Sequence, residues 1–112
     1  MMSKLPHRKN AYIPKEKLEN YLLSETHAVG KSKAKFFRLV GYHETNLDEL
    51  SDGLLAIAGT EEVKERISSP HGIKYVIEGT LSTPSGRVIK VQTIWIIETE
   101  TNQPRFVTAY PN

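Results

Sequence analysis

Apolar residues recur at helical spacing through the first half of this chain, then alternate or run together through the second. Leu18, Tyr21 and Leu22 share one helical face, and Pro14 suits a first turn, where its missing N–H costs nothing. This predicts a helix over 14–23, followed by a polar connection from Ser24 to Gly30. Ser32 can cap a second helix over 32–40, with Phe36, Phe37 and Val40 as its buried side and Gly41 as its stop. Asn46 and Glu49 resemble a capping box in which Asn replaces Ser or Thr. Leu47, Leu50, Leu54 and Ile57 then predict a third helix, ended by Gly59.

From Val63 the period changes. Val63 to Ser68 reads as a short, charged edge strand, and Pro70-His71-Gly72 as a turn. Ile73 to Leu81 is rich in β-formers, and Thr83-Pro84-Ser85-Gly86 is a tight turn. Val88 to Glu98 is the strongest strand. It becomes apolar on both faces at Ile94-Trp95-Ile96-Ile97, which marks a central position. Thr99 to Pro104 turns the chain, and Arg105 to Tyr110 returns as the last strand. Short turns between strands imply an antiparallel meander. Helices first and strands second imply an α+β fold, with about three N-terminal helices packed on one face of a four-stranded sheet. On the central strand Ile89, Val91, Thr93, Trp95 and Ile97 should face the helices. Lys90 and Gln92 are then left on an open polar face beside Lys74 and Glu78. The same alternation places Phe106, Thr108 and Tyr110 on one side of the last strand.

The chain has 112 residues, 38% apolar and 25% charged, which suits one globular domain. Residues 1–10 are polar and basic and read as a flexible arm; 11–112 read as the globular body. The absence of cysteine excludes disulfides, thiolate zinc sites and a cysteine nucleophile, and fits a reducing cytoplasm. No apolar run approaches a membrane span, and the first ten residues lack the apolar segment of a secretory signal. A cytoplasmic protein without membrane contact is therefore expected. The formal charge of +2 selects no partner by itself; its distribution matters more.

Charge concentrates where candidate chemistry does. His27 precedes a predicted helix N-terminus and is the side-chain type suited to proton transfer at neutral pH. Lys31, Lys35 and Arg38 form one helical stripe, with Lys33 beside it, matching a phosphate backbone or equally a solvated helix face. Arg105, Thr108 and Tyr110 could hold a phosphate and stack a base, though ordinary strand propensity also favours Thr and Tyr. His7, His43 and His71 have no carboxylate or cysteine at ligand spacing, so neither a metal nor a cofactor is expected.

The runs YLLSETHAVGKSKAKFFRLVGY, GIKYVIEGTLSTPSGR, VQTIWIIE and PRFVTAYP resemble the motifs of an uncharacterised family of small bacterial proteins, over roughly residues 11–111. More remotely, the chain resembles ribonuclease toxin domains of the barnase, colicin and RelE kind, which place helices before a four-stranded antiparallel sheet. His27, Gly30 and Lys31 match a turn found in such domains, and Phe36-Phe37 matches an aromatic pair that follows it. The resemblance implies a metal-independent ribonuclease-like toxin of a toxin–antitoxin or toxin–immunity pair. RNA and a small cognate antitoxin or immunity protein would be its partners. In that reading His27, Lys31 and Tyr110 carry the chemistry, and Lys33, Lys35, Arg38, Arg105 and Thr108 hold phosphate. The alternative is a non-catalytic nucleic-acid-binding or protein-interaction module. The oligomeric state is left open.

Overall fold

A computed structural model describes the backbone of residues 3–18 and 31–111 and the side chains of 3–18 and 35–111. Its centre is the pairing of β2 (Gly72–Ser82) with β3 (Val88–Glu98), continuous from Gly72 opposite Glu98 to Ser82 opposite Val88. The turn between them is tight because Thr83 binds back on Arg87. Its N–H and its hydroxyl both donate to the Arg87 carbonyl, at 2.9 and 2.6 Å. β1 (Glu65–Ser69) pairs with the outer side of β2, and β4 (Arg105–Pro111) with the outer side of β3. All pairs are antiparallel and the order is β1-β2-β3-β4, a meander within an α+β fold.

Alternation along β3 sends Ile89, Val91, Thr93 and Trp95 into the core. Thr93 is tolerated there because its hydroxyl is fully used: it accepts from Trp95 Nε1 at 2.8 Å and donates to the Ile77 carbonyl at 2.7 Å. α3 (Leu47–Thr60) rests on β2 through Leu50, Leu54, Ile57 and Ala58. Close approach requires Gly79, since a Cβ there would lie 2.7 Å from Ile57 Cγ1. α2 (Lys31–Leu39) lies against β4 and contributes Phe37 to the core cluster that holds Trp95 and Phe106. Asn46 secures the link from α2 to α3, accepting from the His43 N–H at 2.8 Å and donating to the Gly41 carbonyl at 2.9 Å.

The helical half is less regular than a layer of three helices. α1 is a single turn, Lys15–Lys17, and the remainder of the helix expected over 14–23 lies outside the described residues after Leu18. Residues 3–10, expected as a flexible arm, pack onto the body instead. Leu5 is completely buried, the Ser3 carbonyl accepts from the Val63 N–H at 2.9 Å, and Lys4 bridges to Glu62. One apolar side chain with backbone pairing outweighs the polar composition around it. Tyr12 then forms a parallel bridge to Arg105 on the outer side of β4, receiving the Phe106 N–H and donating to Pro104, each at 3.0 Å.

β4 departs from simple alternation. Ile94 faces Thr108 but Trp95 faces Phe106, so Val107 is an extra residue in a β-bulge. Phe106 and Ala109 therefore point into the core, where Phe106 meets Trp95 edge-to-face at 5.3 Å between ring centroids. Thr108 and Tyr110 point the other way. The expected grouping of Phe106 with Thr108 and Tyr110 is corrected accordingly: the extra residue shifts the parity between them.

Candidate functional site

The sheet face turned away from the helices is the site's floor. Register sets its side chains in rows that cross the strands: Lys74, Ile96 and Arg105; then Val76, Ile94 and Thr108; then Glu78, Gln92 and Tyr110. Directly opposed residues of an antiparallel pair share a face with Cβ atoms about 5 Å apart, so each row is a contact line. The third row is hydrogen-bonded. Gln92 Nε2 donates to the Tyr110 hydroxyl at 2.6 Å. Lys64, just before β1, reaches over β2 and places Nζ 3.3 Å from Glu78 Oε2 and 3.4 Å from Gln92 Oε1. The first row ends in an ion pair, Arg105 donating through Nε and an Nη to Glu98 Oε1 at 3.0 and 2.9 Å. Between the polar rows the floor is apolar: Val76 and Ile96 are 4% and 6% exposed although they face away from the helices.

The sequence-predicted residues divide between two layers. Arg105, Thr108 and Tyr110 come together on the open face of β4. Lys35 and Arg38 belong to α2, whose Phe37 packs on the opposite face. These groups and the polar end of β4 can meet only around the β4 edge, where α2 and β4 are neighbours. Lys35 is exposed. Arg38 is ion-paired with Glu44 and holds that carboxyl at about 2, chiefly through the hydrogen bond it donates. Lys31 and Lys33 lie on α2, with side chains outside the described residues. His27, and with it the His27–Gly30 part of the family turn, also lies outside the described residues.

Lys64 was not singled out by sequence reasoning, and Glu78 and Gln92 appeared there only as neighbours on a polar face. Their alternation was legible. Their convergence depends on register between strands far apart in the chain, for which no local pattern exists. A separate pocket of about 310 Å³ lies between α1 and α3, lined by Ile13, Lys15, Leu18, Leu47, Asp48 and Ser51. Among the described residues no group of three His, Asp or Glu side chains is placed to hold one metal ion, and no helix is long and apolar enough to cross a membrane.

Such a molecule is a small α+β domain: a four-stranded antiparallel meander, helices on one face and a polar network on the other. It belongs to the family described as Domain of unknown function (DUF6883), whose model matches residues 4–112. No curated protein matches the chain. Among solved structures it is similar to a chain of a contact-dependent growth inhibition toxin–immunity protein complex from Klebsiella pneumoniae 342. The TM-score is 0.74 and the identity 14%, over 96% of this chain and 98% of that one. At this identity the likeness is one of fold.

Proposed function

We propose that this protein is the toxin of a toxin–immunity pair and acts as a metal-independent, ribonuclease-like domain. The observation that carries this reading is the hydrogen-bonded row on the open face, which sets a cation (Lys64), a carboxylate (Glu78), an amide (Gln92) and a phenol (Tyr110) side by side. Cleavage by the RNA 2′-hydroxyl needs a proton acceptor, a proton donor and fixed positive charge for the transition state, and no cofactor. His27 is the acceptor in this reading. Lys31, Lys33, Lys35 and Arg38 guide the phosphate backbone along α2, and Arg105 and Thr108 hold phosphate at β4. Likeness to a chain from a toxin–immunity complex supports a cognate protein partner. An RNA target places the action in the cytoplasm.

The test is incubation of the purified protein with total bacterial RNA in EDTA. New fragments ending in 2′,3′-cyclic phosphate are expected, and His27→Ala should slow their appearance at least about tenfold. RNA left intact by the wild-type protein refutes the reading.

A second reading, a non-catalytic interaction module, is favoured by one feature. Arg38 and Arg105 each hold a carboxylate, Glu44 and Glu98, so these two cations are already ion-paired within the chain. Cations engaged in this way suit a folded interaction module, which needs no phosphate site. Expression in bacteria separates the two: a toxin arrests growth until its partner is supplied, whereas an interaction module or immunity protein does not.

A further inference from the structure

We infer that this protein pairs with a second copy of itself through the outer edge of β1, in an antiparallel register centred on Ile67. The pairing requires no catalytic activity of either copy.

The two margins of the sheet differ. The outer side of β4 is met by Tyr12, which accepts from the Phe106 N–H and donates to the Pro104 carbonyl. At the other margin the N-terminal segment meets Glu62 and Val63, just before β1 begins. Among the described residues no strand lies on the outer side of Glu65–Ser69. Glu65, Arg66, Ile67 and Ser68 are all exposed, Ile67 by 43%. Arg66 and Ser68 lie opposite Tyr75 and Ile73 and so face the helical side, yet α3 rests on β2 and leaves them in solvent. A second sheet can therefore come alongside β1.

The backbone selects what fits there. The two-residue turn Pro70-His71 closes on Ser69 and Gly72, so that pair is hydrogen-bonded within the hairpin. By alternation Ile67 with Lys74 and Glu65 with Val76 are bonded pairs too. The N–H and C=O groups of Arg66 and Ser68 then point outwards, where another strand can match them. A two-fold axis that keeps both sheets facing the same way sets one residue of β1 opposite its own mate. On Glu65 or Arg66 the axis would oppose like charges. On Ser68 or Ser69 it would oppose Arg66 or Ser68 to Pro70, which has no N–H to give. On Ile67 neither fault arises. Arg66 exchanges two hydrogen bonds with Ser68 of the second copy, and Ser68 two with its Arg66. The two Ile67 side chains, which share the open face with Lys74, meet across the axis with Cα atoms about 4.5 Å apart. This edge is complementary to itself, which is why the occupant is a second copy. The contact is isologous, so association closes at a pair with two four-stranded sheets joined into one.

Sedimentation equilibrium of the full chain from micromolar to millimolar concentration tests the pairing, with wild type and Ile67→Glu compared. Ile67→Glu gives Lys74 a carboxylate within the chain but sets two carboxylates opposite each other across the axis. The wild type should pass from monomer to dimer as concentration rises, and Ile67→Glu should dimerise at least about tenfold more weakly. Because the chain has no cysteine, a single introduced thiol reports the register. Ile67→Cys should form a disulfide-linked dimer on mild oxidation. Glu65→Cys should not, since its Cα would stand about 13 Å from its mate and a disulfide spans at most about 7 Å. A wild type that stays monomeric at millimolar concentration overturns the proposal, and so does one whose β1 edge takes up only a strand of another protein. Dimerisation undiminished in Ile67→Glu, or Glu65→Cys cross-linking as readily as Ile67→Cys, overturns the register.

Discussion

Thr93 lies fully buried between the Trp95 indole and the Ile77 carbonyl and serves both with one hydroxyl. Thr93→Val keeps the shape and removes both bonds. The indole N–H is then left without its partner, so the fold should lose about 2 kcal/mol, measurable by urea denaturation. Two titrating residues act in opposite pH windows. The Arg38 hydrogen bond takes the Glu44 carboxyl from its ordinary 4.5 to about 2. A lowered native value stabilises the fold above the ordinary carboxylate range, and this is lost as pH falls towards 2. Glu44→Gln should therefore flatten the decline of Tm across that acid window. Burial, and next the charge of Glu49, raise the Tyr42 phenol above its ordinary 10.0. That stability is complete below pH 10 and is lost as pH rises through the raised value. Tyr42→Phe should accordingly blunt alkaline unfolding, followed by circular dichroism.

At the scale of elements, α3 and β2 are held together by the absence of a side chain. Gly79→Ala would set a methyl 2.7 Å from Ile57 Cγ1 and 2.8 Å from Cγ2, and a β-branched neighbour has little freedom to yield. The helix must lift, at a cost of about 1–3 kcal/mol in chemical denaturation. Much of this level was legible beforehand. β3 occupies Val88–Glu98 as its β-branched run predicts, and α3 begins at Leu47 and ends one residue past Gly59. β4 was located but its faces were mixed. The residue that shifts them, Val107, is an ordinary strand former and becomes a bulge only through its mismatch with Ile94 and Trp95.

For the whole molecule, the change from helical to strand periodicity and the short turns were enough to give the α+β meander. The polar row was hidden because Lys64, Glu78, Gln92 and Tyr110 come from four parts of the chain and meet only through register. The N-terminal segment is polar and basic in composition, and a single buried leucine, Leu5, holds it to the body. Leu5→Ala should lower stability by about 2–5 kcal/mol in thermal or urea unfolding; an unattached arm would show no change.

That anchored segment links the two margins of the sheet. Ser3 and Lys4 are tied to Val63 and Glu62 beside β1, and Tyr12 is tied to Arg105 on β4. Asn10 donates to the Asn102 carbonyl across 92 positions of sequence. Contacts between the two ends of a chain must wait for the longest loop to close, so they form late and contribute little to the folding transition state. The segment should therefore act as a latch on the rate of unfolding: Tyr12→Pro, which deletes the N–H given to Pro104, should hasten unfolding in stopped-flow experiments while leaving the folding rate nearly unchanged.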